Sequence, residues 1–164
     1  MIIQLTQGKV AQVDEIDSDL FNMRWCISQK GRTPVNQRTY AVRCINGHMI
    51  YMHRIILERI LDRSLRRGEY VDHINHDGLD NHRTNLRLST NKQNHANMRK
   101  HGDRTSSRFK GVYWSDSEQR WVASIFRNGR RVIIRRFISE LDAALAYDEW
   151  ARELDGEFAC TNFP

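Results

Sequence analysis

A polar segment between two short apolar ones constrains this chain more than any other feature. Residues 71–94 read VDHINHDGLDNHRTNLRLSTNKQN. The letters YV at 70–71 and LRL at 86–88 favour short strands, while the Asn, Asp, Gly and His residues between them favour a loop. The letters TNKQ at 90–93 match a helix capping box, which predicts a helix running to about Arg99. The expected order is strand, loop, strand, helix.

Hard oxygen donors and one imidazole flank this loop. Mg²⁺ and Mn²⁺ prefer carboxylate, carboxamide and water ligands, which Asp72 and Asn94 can supply in part. The neutral imidazole of His73 suits a general base that activates water. Adjacent strand residues point to opposite sides, so Asp72 and His73 can serve one site only where the strand ends. We expect the three groups to surround one pocket that is open to solvent.

Four residues at these separations resemble the motif of the HNH nucleases, specifically the phage- and intron-borne homing endonucleases: Asp72, His73, Asn85 and Asn94. The resemblance also rests on the HDGLDN loop and the Asn-Leu-Arg letters at 85–87, and it covers about residues 50–100. It implies a ββα-metal fold that hydrolyses a phosphodiester. The third motif residue is Asn rather than His, which favours Mg²⁺ or Mn²⁺ over zinc.

The resemblance also implies a role for each motif residue. His73 would be the general base, and Asp72 and Asn94 would bind a single divalent ion. Asn85 would brace the loop and orient His73. Independently of the resemblance, Arg87 is expected on the strand face opposite Leu86 and Leu88, where it would either contact a DNA phosphate or pair with Asp80.

The remaining polar residues of the loop have a simpler interpretation. Asx-rich loops commonly satisfy their own backbone, which accounts for Asn75, Asp77, Asp80 and Asn81. His53, before the loop, is interpreted as a packed or capping histidine.

Short strands dominate the beginning of the chain. MIIQL and KVAQVD flank a Gln-Gly turn, WCISQ follows, and Asn46-Gly47 predicts a hairpin between YAVRCI and HMIYM. The apolar spacing in 53–63 predicts a helix. We therefore divide the chain into a β-rich leader, a nuclease domain, a basic linker and a C-terminal domain: 1–52, 53–99, 100–107 and 108–164.

The pattern changes after the linker. FKGVYW, RWVASIFR and RRVIIRRF are three strand candidates joined by polar turns. A capping box at Ser139 and Asp142 opens a helix with an apolar stripe, which Gly156 ends. The expectation is a three-stranded antiparallel sheet backed by one helix. The chain as a whole is predicted to be α+β.

These C-terminal segments resemble the apetala-two type DNA-binding domain of plant ethylene-response factors. The resemblance spans nearly sixty residues and implies that the sheet enters the major groove. Strict alternation in 121–126 places Val122, Ser124 and Phe126 outward. In the next strand it places Val132 and Ile134 inward, and Arg131, Ile133 and Arg135 outward. Lys110 and Tyr113 would join this outward face.

The predicted DNA contacts extend beyond the sheet. Three basic residues in and after the linker are expected to follow the DNA backbone or the minor groove. Together with the outward residues of the sheet and with Arg87, they complete the predicted DNA-binding set. This set is Arg87, Lys100, Arg104, Arg108, Lys110, Tyr113, Ser124, Phe126, Arg131, Ile133 and Arg135. Several of these differ from the Arg and Trp residues usual in the plant proteins, so the plant target sequence does not follow.

Composition supports a polyanionic partner. Lys and Arg number 26 against 20 Asp and Glu, and the sequence pI is about 9.5. Three distant cysteines and the lack of a Cys-x-x-Cys pair argue against disulfides and structural zinc. Without an apolar span or signal segment, we expect a cytoplasmic protein of phage or bacterial type.

The sequence therefore predicts a site-specific homing endonuclease with Mg²⁺ or Mn²⁺ as cofactor. It would act on double-stranded DNA as a monomer, without an obligate protein partner, and nick one strand. Two alternatives stay open at this point. One is a DNA-binding regulator without catalysis, and the other is a nuclease that acts on RNA.

Overall fold

The chain forms two compact units in a computed structural model that describes residues 1–30, 38–100, 105–127 and 129–164. The units comprise residues 1–91 and 92–164. Every sheet in the described residues is antiparallel, and helices accompany the strands. The prediction of a mixed chain with antiparallel sheets is thus confirmed. The finer division into four parts stays a prediction. None of the helices in the described ranges is long and apolar enough to cross a bilayer.

Five short strands build the start of the first unit. In chain order they are β1 Ile2–Gln4, β2 Val10–Gln12, β3 Cys26–Lys30, β4 Arg38–Ile45 and β5 His48–Tyr51. Strands β1 and β2 pair with each other, and β4 lies between β3 and β5.

The β4–β5 hairpin follows from its turn residues. Asn46 and Gly47 have φ angles of 51° and 79°, and Ile45 pairs with His48 across them. A two-residue turn with both φ angles positive matches the twist of the strands and favours Asn-Gly. This predicted hairpin is confirmed.

Helix α1, Met52–Leu61, follows β5 directly and packs on the sheets. Its Met52 and Ile56 are fully buried with Leu20 and Val13 of the leader. The predicted leader and the segment that follows it therefore share one hydrophobic core. A two-stranded sheet such as β1–β2 is only marginally stable alone and needs such packing.

A buried carboxylate reinforces this junction. Asp17, in a 3₁₀ segment at Glu15–Asn22, is fully buried. Its two oxygens accept hydrogen bonds from Arg59 of α1 at 2.9 Å and from Arg83 at 2.8 Å and 3.0 Å. Burial opposes ionisation of Asp17, but the hydrogen bonds and charges of the two arginines outweigh it and lower the pKa of Asp17.

The predicted strand, loop, strand, helix order follows α1. Its elements are β6 Glu69–His73, β7 Leu86–Thr90 and α2 Asn91–Ala96. The prediction that this helix reaches Arg99 is wrong. The carbonyl oxygen of Ala96 accepts from the side-chain ammonium of Lys110, 2.6 Å away, so a side chain satisfies it at the helix end.

The second unit contains a three-stranded antiparallel sheet and one long helix. Its elements are β8 Val112–Ser115, β9 Arg120–Arg127, β10 Arg130–Phe137 and α3 Glu140–Asp155, with β9 in the centre of the sheet. Residues of all three strands and of α3 form one hydrophobic cluster. Ser139 Oγ accepts from Asp142 N at 3.3 Å, as the capping box predicts.

Two contacts with α3 hold the beginning and the end of this unit. Gly111 has a φ of 74°, and an added Cβ there would lie 2.0 Å from the ring of Tyr147, so only glycine fits. Asp148, 1% exposed, accepts from the backbone amides of Asn162 and Phe163 at 2.8–2.9 Å. The final residues are thereby attached to α3.

Candidate active site and nucleic-acid interface

The β6–β7 pair sets the positions of the two adjacent motif residues. Strand β6 ends at His73, and the register pairs Asp72 with Arg87 and His73 with Leu86. Because the strand ends there, the chain can turn immediately after His73. Asp72 and His73 are only 4% and 7% exposed. Both side chains are thus largely buried, and the expectation that they line one solvent-open pocket together with Asn94 stays a prediction.

Arg87 contacts Asp72 across the strand pair. Arg87 Nε donates to Asp72 Oδ2 at 2.8 Å, and the two side chains are 13% and 4% exposed. The alternative that Arg87 pairs with Asp80 is wrong, since the cross-strand register brings Asp72 opposite Arg87. Asp80 instead contacts His82 Nδ1 at 2.5 Å. A role of Arg87 in binding DNA phosphate stays a prediction.

His73 lies among aromatic rings. The ring centroids of His53 and Tyr40 are 5.1 Å and 6.0 Å from that of His73. Burial lowers the pKa of His73, although the hydrogen bond with Asn81 and the charge of Asp72 oppose this shift. A lowered pKa favours the neutral imidazole, which is the form that a general base requires. The interpretation of His53 as a packed histidine agrees with these contacts.

Asn81 is a contact of His73 that the sequence interpretation missed. It is fully buried, and its Oδ1 is 3.3 Å from His73 Nε2. The simple explanation of a self-satisfied Asx residue is therefore wrong for Asn81. The sequence does carry one signal for this contact, because the polar loop after His73 includes Asn81 in addition to Asn75 and Asn85.

Asn85 cross-links the loop. Its Nδ2 donates to Asn75 Oδ1 at 3.0 Å and to Asp80 O at 2.7 Å, while its Oδ1 accepts from Asn75 N at 3.0 Å. The backbone carbonyl of Asn85 also accepts from Ile74 N, directly after His73. These bonds hold the start of the loop against its end. The catalytic role of Asn85 stays a prediction.

Asn94 lies in α2, within the second unit, and is half-buried. The end of α2 is anchored in that unit by Lys110, whose ammonium is 2.6 Å from Ala96 O. The role of Asn94 as a metal ligand stays a prediction. Among the described residues, no group of three or more His, Cys, Asp or Glu side chains could hold a metal ion.

The outer face of the second unit carries an exposed aromatic–arginine pair. Phe126 is 53% exposed, and the guanidinium of Arg131 lies 5.0 Å from the centre of its ring. The register pairs these two residues across β9 and β10. Tyr113, half-buried, pairs with Val122 on the other side of β9. The predicted outward placement of Phe126 and Arg131 is confirmed.

A β-bulge corrects the predicted placement of the next two residues. Pairing shifts between Arg131 and Ile133, so Val132 is an extra residue that interrupts the alternation. Ile133 therefore packs against the hydrophobic cluster, and the guanidinium of Arg135 lies 5.7 Å from the ring of Trp150 in α3. The outward placement predicted for Ile133 and Arg135 is wrong.

Ser124 is also placed differently from the prediction. It lies on β9 between two neighbours, is 5% exposed, and its amide donates to Gly111 O at 2.8 Å. The prediction of an exposed Ser124 is wrong, and so is the exposure expected for Val122, which is 1% exposed.

The two predicted lysine contacts are engaged within the protein. Lys100 Nζ donates to Ser107 O and Phe109 O, each at 2.6 Å, and Lys110 Nζ donates to Ala96 O. Burial lowers the pKa of both lysines. Backbone carbonyls thus satisfy both ammonium groups in this structure, and the DNA contacts predicted for Lys100 and Lys110 stay predictions.

The two arginines of the linker region differ in what the structure describes. Arg108 is exposed and lies 4.9 Å from the ring of Phe109. Arg104 lies outside the described residues. The DNA contacts predicted for both stay predictions.

Comparisons with known proteins match both halves of the chain. A family model of HNH endonucleases matches residues 51–96, and a model of the AP2 domain matches residues 107–157. An uncharacterized HNH endonuclease of Acanthamoeba polyphaga mimivirus is 37% identical over 139 residues, which cover 85% of this chain and 71% of that protein. Protein 3.8 of Escherichia phage T7 is 34% identical over 94 residues, which cover 57% of this chain and 75% of that protein. No solved structure matches the chain significantly. The chain belongs to the HNH endonuclease family and carries a C-terminal AP2 domain.

Proposed function

We propose that the protein is a site-specific DNA endonuclease of the homing type, which hydrolyses a phosphodiester by single-metal HNH chemistry. The observation that carries this proposal is the adjacent, buried Asp72 and His73 at the end of β6, within the segment that matches the HNH endonuclease model. The AP2 domain supports double-stranded DNA as the substrate.

Asp72 and Asn94 would hold one Mg²⁺ or Mn²⁺ ion, which supplies charge stabilisation for the phosphate and the departing oxygen. A carboxylate and a carboxamide are the oxygen donors that these ions prefer. Arg87 Nε, 2.8 Å from Asp72 Oδ2, fixes the orientation of that carboxylate. In a ββα-metal arrangement, β6, β7 and α2 would supply the two ligands and the base.

His73 would accept the proton from the attacking water. Its burial lowers the pKa of His73 and so favours the neutral imidazole, the form that a general base requires. The cross-links that Asn85 makes to Asn75 and Asp80 hold the loop that follows His73. The bond between phosphorus and the 3′ oxygen then breaks, which leaves a 5′ phosphate.

The AP2 domain would place the enzyme by laying its sheet in the major groove. Of the predicted contacts, Phe126 and Arg131 support this best, because both face outward from the sheet. Arginine can pair with guanine through two hydrogen bonds, and an aromatic ring can contact the methyl group of thymine. One active site per chain favours nicking of a single strand by a monomer.

The cellular role and organisation belong to the same proposal. The protein would act in the cytoplasm of a phage-infected or bacterial cell as part of a mobile element, without an obligate protein partner. Residues 1–52 would form the leader, 53–99 the nuclease domain, 100–107 the linker and 108–164 the DNA-binding domain.

A plasmid-nicking assay tests the function. We expect nicking of supercoiled DNA with Mg²⁺ or Mn²⁺, none with EDTA, and a rate at least about 100-fold lower in His73→Ala. Equal nicking by His73→Ala would refute the role of the base. Binding without nicking under all metal conditions would instead identify a DNA-binding regulator, and stronger competition by RNA than by DNA would identify an RNA-acting nuclease.

A further inference from the structure

Strand pairing places Ile134 on the outward face of the second unit. Ala123 and Ile125 of β9 belong to the hydrophobic cluster with α3, so Ser124 between them points to the opposite face. Ile134 pairs directly with Ser124, and residues opposite each other in an antiparallel pair share a face. Ile134 therefore lies outward, although strict alternation predicts an inward position, because the extra residue Val132 shifts the register.

Ile134 and Phe126 are apolar neighbours on this outward face. Phe126 lies two residues after Ser124 on β9, so its side chain is diagonal to that of Ile134, within the reach of an aromatic ring. Phe126 is more than half exposed, and Ile134 is half-buried. Val122 and Ser124 share the face but are buried. Phe126 and Ile134 are therefore the apolar side chains of β9 and β10 that a partner can reach there.

An arginine without an acidic partner accompanies these two residues. Arg131 pairs with Phe126 across the strands, and its guanidinium lies over the ring. Arg136, further along β10 on the same face, donates instead to Glu118 at 2.6 Å. Within the described ranges Arg131 forms no ion pair, so its N–H groups can donate to a base.

Apolar side chains beside such an arginine match the chemistry of a thymine next to a guanine. In the major groove, thymine alone presents a methyl group, and guanine presents two acceptors that suit an arginine. Successive base pairs are about 3.4 Å apart along the helix. The 5.0 Å between the guanidinium of Arg131 and the ring centre of Phe126 therefore suits adjacent base pairs.

We propose that Phe126 and Ile134 determine the specificity of this protein by contacting thymine methyl groups beside a guanine that Arg131 binds. The inference rests on the proposed function, in which the sheet of the AP2 domain enters the major groove. It adds the chemical group that the sheet reads. The preferred site then contains T·A pairs next to a G·C pair.

Deoxyuridine tests this inference, because it pairs with adenine as thymine does but lacks the methyl group. Selection from a random double-stranded library by the full chain, in EDTA so that the DNA stays uncut, gives the preferred site. Each thymine of that site is then replaced in turn by deoxyuridine. We expect affinity to fall about 4-fold at each contacted thymine, the effect of one buried carbon, and to stay constant elsewhere. Equal affinity at every position overturns the proposal.

Two variants assign the methyl contacts to their residues. Phe126→Ala and Ile134→Ala should each bind the thymine and deoxyuridine sites equally at one position and keep the discrimination at the other. Leu145→Ala is the matched control, because Leu145 is an exposed apolar residue of α3, the helix that packs on the other face of the sheet. It should keep the full discrimination of the wild type.

The variants and the wild type decide the question separately. Full discrimination in both Phe126→Ala and Ile134→Ala overturns the proposal. Thermal unfolding shows whether each variant is folded, and if one is not, the comparison of the two sites with the wild type still gives the answer.

The outcomes also distinguish this inference from the proposed function. Site-specific binding without sensitivity to deoxyuridine refutes the reading of thymine and leaves targeting by the AP2 domain intact. A wild type that discriminates thymine from deoxyuridine but does not nick DNA refutes the nuclease and leaves the reading intact. Stronger binding of single-stranded than of double-stranded DNA would make Phe126 a stacking residue and overturn the inference, and failure to bind any DNA refutes both.

Discussion

Arg87 Nε donates to Asp72 Oδ2 at 2.8 Å inside the first unit, where the two side chains are 13% and 4% exposed. Removing one partner of such a pair leaves a buried charge without compensation. We therefore expect Arg87→Met to lower the free energy of unfolding of the metal-free protein by about 3 kcal/mol, measured by urea denaturation.

The matched control is Arg54→Met, which removes an arginine whose side chain is 48% exposed and pairs with Glu58. Exposed pairs contribute less than about 1 kcal/mol, so this variant should be nearly as stable as the wild type. If Arg87→Met were equally mild and mainly weakened DNA binding, Arg87 would be a phosphate contact instead.

Two arginines of β10 offer a direct test of the DNA-binding face. Arg131 faces outward beside Phe126, whereas Arg135 lies over Trp150 on the helix side. We expect Arg131→Ala to weaken binding of the preferred DNA site by about 1 to 3 kcal/mol and to relax specificity at one position. Arg135→Ala should leave specificity unchanged. Binding selection from a random DNA library measures both, and the reverse result would show that the sheet binds DNA by its other face.

The position of Lys110 predicts an effect on cleavage rather than on binding. Its ammonium lies 2.6 Å from Ala96 O at the end of α2, the helix that carries Asn94. Lys110→Met should lower the nicking rate by about 10- to 100-fold, since small displacements of a metal ligand are costly. DNA affinity and its salt dependence should not change.

Lys92→Met provides the comparison, because Lys92 is an exposed lysine of the same helix. It removes the same charge without releasing Ala96 O, so its nicking rate should match the wild type. A phosphate contact by Lys110 would show itself differently, as a decrease of about 1 in the slope of log affinity against log salt.

Asp17 predicts how the stability of the first unit depends on pH. Its pKa lies below the ordinary carboxyl value, so ionised Asp17 stabilises the fold above a pH of about 4, and this contribution is lost as the pH falls through the lowered pKa. Asp17→Asn should cost about 3 kcal/mol at neutral pH, and its difference from the wild type should shrink in acid.

Thermal unfolding between neutral and acid pH measures this dependence. Asp19→Asn is the control, because Asp19 pairs with the same Arg59 but its side chain is 53% exposed. Its cost should not exceed about 1 kcal/mol. A constant difference between Asp17→Asn and the wild type across the pH range would contradict the role of the ionised carboxylate.

The sequence predicts local features of this fold well and long-range ones poorly. The Asn46-Gly47 turn and the Ser139 cap depend on neighbouring residues, and both are found as predicted. The bulge at Val132 has no local signal, since nothing in the alternating pattern marks which residue is extra. One extra residue then reverses the facing of Ile133 and Arg135.

The candidate site shows the same division. The adjacency of Asp72 and His73 is visible in the sequence, and so is the polar loop after them. The partners of both residues depend on pairing across that loop, which sets Arg87 opposite Asp72 and brings Asn81 to His73. Register across a loop of twelve residues, 74–85, cannot be read from residue types alone.

The anchoring of α2 limits how this protein can be rearranged. Asp148 of α3 holds Asn162, Asn162 Oδ1 accepts from the backbone amide of Lys110, and the side chain of Lys110 holds the last turn of α2. The AP2 domain and α2, which carries the proposed metal ligand Asn94, are thus joined by one chain of hydrogen bonds. A chimaera that substitutes a foreign targeting domain after residue 100 would remove Lys110, and with it the hydrogen bond that holds Ala96 O at the end of α2. A workable junction therefore has to fall before α2.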